Sequence, residues 1–172
     1  MVKQNQLLII KQLRQGAGHS ARFLTVIFPH DQMQILPYNR VLKDLNGLTP
    51  DALLAKLATI FDIQPGGPAK PAQKHELALF LGGQWRTLRF RPQFTATDDP
   101  IERLDVTLLQ KHVLAPLFGI DDPRTSKRIS FVGGIRGTAE LEKLVNAGEY
   151  SCAFSMFPTR SEEHTSELQS PC

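Results

Sequence analysis

HELALFLGGQWRTLRFR, residues 75–91, is the stretch that decides the fold. Two β-prone apolar runs flank Gly82-Gly83, and a glycine pair in this position is the signal of a two-residue β-hairpin, because such turns need positive φ. Folding about that turn predicts three cross-strand pairs: Phe80 with Trp85, Leu77 with Leu88, and Glu76 with Arg89. Two packing pairs and one opposite-charge pair agree on a single register, so the hairpin anchors the assignment of the other elements.

The segment before the hairpin predicts a helix, a short strand and a loop. Thr49-Pro50-Asp51 combines an N-cap residue, a first-turn proline and an acidic residue near the positive end of the helix dipole. Leu53, Leu54, Leu57 and Ile60 follow at helical spacing. Phe61 to Ile63 then begins a strand, and residues 65–71 (PGGPAKP) form a surface loop, because they sustain neither a helix nor a ladder.

Nearer the N-terminus the pattern predicts a helix over residues 3–15 and a strand over Arg22 to Phe28. A turn at residues 29–32 leads into a second strand, Met33 to Pro37, so the two strands are expected to form another hairpin. Tyr38-Asn39-Arg40 would end this second strand, which places Arg40 in the loop that follows it.

The segment after the main hairpin alternates helix and strand. Asp98-Asp99-Pro100 precedes a helix over Ile101 to Phe118, which Pro116 should kink or end. Further elements follow in this order: a strand over Arg128 to Val132, a turn over Gly133 to Gly137, a helix over Thr138 to Ala147 and a strand over Tyr150 to Phe157. Strands and helices are interleaved with at least two hairpins. We therefore expect an α+β fold with a mixed, largely antiparallel sheet.

Residues 160–172 differ in character from the rest of the chain. Residues 160–170 (RSEEHTSELQS) read as the in-frame translation of a common sequencing adapter. We therefore expect a disordered, artefactual tail at 160–172 and a partial domain over 1–159. Without the tail the chain keeps 19 Lys+Arg and 14 Asp+Glu, a net charge of +5 instead of +3.

Composition narrows the class of protein. Only Cys152 remains outside the tail, which fits a reducing compartment. No apolar run approaches the roughly 18 residues of a spanning helix, and no signal peptide is evident at the start. We expect a cytoplasmic protein that does not bind a membrane. The dispersed positive charge is typical of a solvated surface, so nucleic acid is not the expected partner.

Three long segments carry a resemblance to a known family: residues 37–48 (PYNRVLKDLNGL), 114–125 (LAPLFGIDDPRT) and 128–137 (RISFVGGIRG). Together they resemble the bacterial family called domain of unknown function 1015, over about Arg22 to Thr159. The resemblance implies a longer protein, with an upstream Ala-Asp-Gly-His-His-Arg motif that this chain lacks. That motif is similar to a signature of the ParB and sulfiredoxin-like superfamily, some of whose members use nucleotides. The chain would thus be an incomplete domain without a complete active site.

One loop has the composition of an anion site. Glycines between a strand and a helix let the backbone approach an anion, helix N-terminal amides point toward it, and an arginine can close on it bidentately. The candidate ligand-binding residues are Gly133, Gly134, Arg136, Gly137 and Thr138, with Arg40 as a second contact. The alternative is that the glycines make a tight turn and that the two arginines are surface or ion-paired residues.

Other chemistry-bearing residues have simpler interpretations. No two histidines have metal-ligand spacing, so no metal site is predicted. His112 lies on an apolar helix and fits a core or boundary position, and Cys152 fits strand packing. Trp85 with Arg86, Arg89 and Arg91 resembles a basic aromatic strand for nucleic acid, but strand alternation divides these residues between two faces.

The sequence supports two hypotheses of different classes. In the first, the whole protein is a metabolic enzyme or sensor of a small anionic, for instance phosphorylated or nucleotide-like, ligand, and the missing upstream part supplies acid–base groups. In the second, the chain is a non-catalytic regulatory or interaction module that uses the hairpin and the long helix as contact surfaces. The residues specify neither a cofactor nor a reaction type.

Overall fold

A computed structural model describes residues 36–158, all within one compact unit. Its six strands are β1 (Tyr38–Leu42), β2 (Phe61–Pro65), β3 (Glu76–Leu81), β4 (Gln84–Phe90), β5 (Ile129–Gly133) and β6 (Cys152–Ser155). Its helices are α1 (Pro50–Leu57), α2 (Pro92–Thr95), α3 (Asp105–Leu109), α4 (Ala115–Phe118) and α5 (Gly137–Asn146). A π-helical turn (Gln110–Leu114) joins α3 to α4, and a 3-10 turn (Gly134–Arg136) precedes α5.

The strands form one sheet in the order β2-β4-β3-β6-β1-β5, and every described pairing is antiparallel. This confirms the predicted α+β class. No parallel pair of the expected mixed sheet occurs within residues 36–158. The central hairpin is confirmed in its register, with Glu76 opposite Arg89, Leu77 opposite Leu88 and Phe80 opposite Trp85. Both turn glycines have positive φ, as this tight connection requires.

Helices pack on both faces of the sheet. Alternate residues of each strand point to opposite faces, so the apolar side chains form two separate cores, one on each face. The larger core lies under α1, α3 and α4 and includes Leu79, Phe118 and Phe154. The smaller core lies under α5 and includes Val41 and Phe80. All six residues of β3 are buried, so this strand offers little of the contact surface that the interaction hypothesis assigned to the hairpin. The other strand, β4, exposes Gln84 and Arg89.

The first helix forms for the reasons visible in its sequence. Thr49 is extended, and its side-chain oxygen accepts a hydrogen bond from the backbone N–H of Ala52 at 3.2 Å. This bond satisfies one of the amides that a helix leaves free at its N-terminus. Pro50 fits the first position because its missing N–H is not needed there. Leu53 and Leu57 are fully buried, which confirms the predicted helix.

The long helix starts later than predicted. Residues 101–104 form turns instead of helix. The side chain of Asp99 accepts a hydrogen bond from the backbone N–H of Ile101 at 2.8 Å, and the helix begins at Asp105. Pro116 does not end it, since α4 continues to Phe118 and stops at Gly119 in the left-handed conformation. Because Pro116 has no N–H to donate, the turn before it widens, and the N–H of Ala115 bonds the carbonyl of Gln110.

The strand predicted over Met33 to Pro37 is tested only at its last two residues, because residues 33–35 lie outside the described part of the chain. Leu36 and Pro37 are not in a strand, and β1 begins at Tyr38. Proline lacks the ladder N–H and therefore precedes the strand, while Val41 and Leu42 provide the buried positions. Arg40 thus lies inside a strand and not in a loop. The last strand is shorter than predicted (Cys152–Ser155). The elements predicted within residues 1–35 and the tail at 160–172 lie outside the described residues.

Candidate functional site

Arg40 is a buried cation in the interior of the sheet. It pairs with Phe131 of β5 on one side and with Phe154 of β6 on the other. Only 8 % of the residue is exposed. Strand alternation places it on the same face as Tyr38 and Leu42, the face that packs against α1 and the long helix.

The guanidinium of Arg40 has no counter-charge within the described part of the chain. Its Nη1 donates to the backbone carbonyl of Tyr38 at 2.9 Å, and its Cζ lies 5.6 Å from the centroid of the Phe131 ring. Its Nε is buried and has no hydrogen-bond partner, and no carboxylate of residues 36–158 forms an ion pair with it. Burial lowers the pKa of Arg40 to about 10, so the group remains charged at neutral pH. A buried, unpaired charge is expensive, which distinguishes Arg40 from an ordinary structural arginine.

The aromatic ring beside this cation, that of Phe131, carries a second ring stacked on it. Tyr38 is 58 % exposed, yet its ring stacks on Phe131 with centroids 5.1 Å apart and planes 7° from parallel. Opposite Tyr38 lies Gly133, and a Cβ added there would meet no atom within 4 Å. Tyr38, Arg40, Phe131 and Gly133 therefore form a two-by-two block on one face of the sheet. We call these four residues the Arg40 cluster.

The other residues of the predicted anion loop differ in their structural roles. A Cβ on Gly134 would lie 2.5 Å from Cδ and 2.8 Å from the carbonyl oxygen of Pro37, and the N–H of Gly134 donates to that oxygen at 2.8 Å. Close backbone packing thus explains Gly134. Gly137 has φ +71° and begins α5 together with Thr138. Arg136 is exposed and forms no hydrogen bond or ion pair with another described residue.

The β1–β5 register brings two of the predicted residues together, because Gly133 lies diagonally from Arg40 on the same face. Arg136 has no described contact with Arg40, and α5 packs on the opposite face of the sheet. Sequence reasoning missed Phe131, the ring that contacts both Tyr38 and Arg40. Phe131 could have been identified only from the register of β1 against β5, which places it opposite Arg40. The sequence of neither strand shows this register.

A second polar cluster is structural in character. Arg128 donates from Nε to Asp44 at 2.9 Å, from Nη2 to Asp44 and to Asn46, and from Nη1 to the carbonyl oxygen of Phe118 at 2.8 Å. Asn46 also donates to the carbonyl oxygen of Leu117 at 3.1 Å. This clamp joins the loop after β1, the end of α4 and the start of β5. Its residues come from the three segments that carry the family resemblance, which therefore meet in space.

A His–Asp pair lies at the start of β3. Asp105 accepts the backbone N–H of His75 at 3.0 Å, and its Oδ1 lies 3.0 Å from Nδ1 of the same histidine. His75 has φ +64°, an unusual conformation for a residue other than glycine. Burial raises the pKa of Asp105, although His75 opposes that shift. The double contact holds His75 in its conformation and ties β3 to the first turn of α3.

The basic aromatic strand does not present free arginines. Arg86 donates to the carbonyl oxygen of Leu81 at 2.8 Å, and Arg89 pairs with the buried Glu76 at 3.2 Å. Nε of Arg91 lies 3.4 Å from Asp62. Each cation of β4 and its flank therefore has an internal partner, which leaves no row of unpaired charge for a phosphate backbone along this strand.

The remaining candidates have structural explanations. His112 packs edge-on against Phe94 with centroids 4.9 Å apart, and partial burial lowers its pKa. Cys152 is completely buried, and burial raises the pKa of its thiol. Within residues 36–158, no group of three or more His, Cys, Asp or Glu residues could hold a metal ion. None of the described helices has the length and apolar character needed to cross a bilayer.

Comparison with known proteins gives one match. A family model described as "Protein of unknown function (DUF1015)" matches residues 4–107. The match begins and ends earlier than the expected range of Arg22 to Thr159. It includes the segment 37–48 with Arg40, while the segments 114–125 and 128–137 lie beyond it. No curated protein and no solved structure matches the chain.

Proposed function

The chain belongs to the DUF1015 family of proteins of unknown function, and from its own residues we propose that it binds a small anion at the Arg40 cluster. The ligand is a phosphate or carboxylate group of a metabolite. The whole protein would then be a cytoplasmic enzyme or sensor of that metabolite. The Arg40 cluster supplies the groups that binding needs, a protonated guanidinium and two aromatic rings. These four residues include no general base, so the proposal is limited to ligand binding.

One observation carries this proposal. Arg40 is 8 % exposed, and its Nε has no hydrogen-bond partner among residues 36–158, while the ring of Phe131 supplies only a weak cation–π contact. Arginine buried in a protein normally meets a carboxylate, because the desolvation of the cation must be offset. An anionic ligand would supply that missing charge and would accept the free N–H groups in a bidentate arrangement.

The loop after β5 supports the proposal in a secondary role. Gly133 leaves open space beside Tyr38, and Arg136 is exposed without a described partner. We propose that Arg136, Gly137 and Thr138 contact the ligand from the rim, while Arg40 provides the buried charge. The α5 N-terminus has no side-chain cap. The N–H of Gly137 donates to the carbonyl oxygen of Gly134, so the amides that follow Gly137 in the first turn are the ones available for hydrogen bonds.

Calorimetric titration of the full chain with inorganic phosphate and with phosphoserine tests this proposal. We expect one site, with the affinity reduced at least about tenfold by Arg40→Gln, because a charge-assisted pair is worth about 1.5–3 kcal/mol. Arg124→Gln is the matched control, since Arg124 is an exposed arginine whose side chain is 88 % accessible. Equal affinities of the Arg40 variant and the unmodified chain would contradict the proposal.

The second candidate function is a protein-interaction module, and exposed apolar side chains favour it. Ile135 is 85 % exposed and Leu36 is 41 % exposed. The contact between Gly134 and Pro37 brings the loops that carry them together. Self-association measured by sedimentation velocity distinguishes the two functions. An Ile135→Ser variant that loses association but retains phosphate affinity would favour the interaction module.

A further inference from the structure

The ring of Tyr38 is exposed but fixed in orientation. The plane of the Tyr38 ring lies 7° from the plane of the Phe131 ring, so the two rings are stacked. This stack limits the rotation of the Tyr38 side chain. One face of the ring rests on Phe131, and 58 % of the residue remains accessible. A ring that is already held in place loses little conformational entropy when another flat ring stacks on it, so the arrangement is suited to an aromatic ligand.

The ring and the cation belong to one unit. Tyr38 and Arg40 are two residues apart on β1 and point to the same face, which separates them by about 7 Å along the strand. Phe131 contacts both of them, through the stack with Tyr38 and through the guanidinium 5.6 Å from its centroid. A ligand that touches Tyr38 is therefore within reach of the charge of Arg40.

The open position in the block is Gly133. The other three corners carry large side chains, whereas a Cβ on Gly133 would meet no atom within 4 Å. The backbone conformation does not explain this glycine, since its φ of −61° suits any residue. Unlike Gly134, which Pro37 crowds, Gly133 leaves space beside Tyr38 that a ligand can occupy.

From these three observations we infer that the anion bound by Arg40 belongs to a molecule with a flat aromatic ring, which stacks on Tyr38 beside Gly133. The inference rests on the proposed function and specifies the ligand class: an aromatic ring joined by a short arm to a phosphate or a carboxylate. A nucleoside monophosphate and an aryl carboxylate share this chemistry. The experiment separates these two sources.

The test compares three probes by calorimetric titration of the full chain: inorganic phosphate, phenylacetate and adenosine monophosphate. We expect at least one of the two ring-bearing probes to bind about tenfold more tightly than phosphate, the gain typical of a single stacked ring. Preference for adenosine monophosphate identifies a nucleotide, and preference for phenylacetate identifies an aryl carboxylate.

Variants of Tyr38 assign the gain to stacking. Tyr38→Leu keeps an apolar side chain without a ring. It should remove the tenfold gain, which is measured as the ratio of the affinities of the ring-bearing probe and of phosphate for the same variant. Tyr38→Phe keeps the ring and should retain the gain. Because both substitutions alter an exposed residue, thermal melts provide a check that both variants fold.

The outcomes separate this inference from the proposed function. If all three probes bind with equal affinity and Arg40→Gln weakens all of them, the inference is overturned and the anion site stands. If the ring-bearing probes bind more tightly but Tyr38→Leu retains their advantage, the inference is also overturned. If no probe binds, the inference and the proposed function fail together.

Discussion

Arg40 of β1 lies directly opposite Phe131 of β5, with its guanidinium carbon 5.6 Å from the ring centroid. The Arg40 side chain also donates one hydrogen bond to the carbonyl oxygen of Tyr38. Among the described residues it has no other hydrogen bond, ion pair or cation–π contact. Aromatic neighbours without a carboxylate, as found among residues 36–158, make a poor environment for a buried charge. Such an arrangement lowers stability in the free protein and is expected where a ligand supplies the missing charge.

Arg40→Met should stabilise the ligand-free protein. The variant removes a desolvated cation and keeps a long apolar side chain, so we expect the free energy of unfolding to rise by about 1–3 kcal/mol. Urea unfolding followed by circular dichroism measures the change. The same variant should no longer bind phosphate. A loss of stability in Arg40→Met would show that the cation is satisfied in the free protein.

The Arg128 clamp should be important for stability. Arg128→Ala removes bonds to Asp44, to Asn46 and to the carbonyl oxygen of Phe118 at the end of α4. We expect a loss of about 1–2 kcal/mol in urea unfolding, because the side chain is partly exposed and water replaces some of these bonds.

Arg124→Ala is the control for that experiment. Arg124 pairs with Asp122 on the surface, with 88 % of its side chain accessible, so its removal should change stability by less than about 0.5 kcal/mol. Equal losses in the two alanine variants would contradict the structural role of the clamp.

Acid should weaken the clamp in a defined pH range. The Arg128 hydrogen bond holds the pKa of Asp44 below its ordinary value of 3.8. A carboxyl group whose pKa is lower in the folded state contributes stability above its unfolded pKa, and that contribution is lost as the pH falls through the folded pKa. We therefore expect unfolding free energy to decrease as the pH drops below about 3.8.

Asp44→Asn isolates this contribution. The variant cannot titrate at that position, so the part of the acid-induced loss that comes from Asp44 should disappear from a series of urea melts between neutral pH and pH 2.5. Asp105 contributes with the opposite sign, because burial raises its pKa and its ionisation opposes folding as the pH rises. An unchanged pH profile in Asp44→Asn would exclude Asp44 as a source of acid sensitivity.

Two adjacent glycines should respond differently to the same substitution. Gly134→Ala places a methyl group 2.5 Å from Cδ and 2.8 Å from the backbone oxygen of Pro37, so the backbone must move, and we expect a loss of about 1–3 kcal/mol. Gly133→Ala meets no atom within 4 Å and has a permitted φ. Its thermal unfolding should match that of the unmodified chain.

Gly133→Ala also provides a test of the ligand site, because its methyl group fills the space beside Tyr38. We expect this variant to weaken binding of a ring-bearing ligand with no loss of stability. A Gly134→Ala variant as stable as the unmodified chain would contradict the close contact between this loop and Pro37.

The local elements near the hairpin were predictable because their signals are local. The Gly82-Gly83 turn fixes the register that pairs Phe80 with Trp85, and Thr49 marks the start of α1. The limits of β1 and of the long helix were less predictable. Pro37 delays the strand, and the turn that widens before Pro116 allows the helix to continue where a proline usually ends it.

The sequence by itself determined the α+β class, the central hairpin and the importance of Arg40 and Gly133 as candidates. Only the tertiary structure decided that these two residues share one face, that Phe131 contacts both Tyr38 and Arg40, and that the buried cation has no carboxylate partner among the described residues. The physical reason is the sequence separation of the interacting residues. Turn and cap preferences depend on neighbouring residues, whereas the pairing of β1 with β5 joins residues about ninety positions apart and is selected by the packing of the whole sheet.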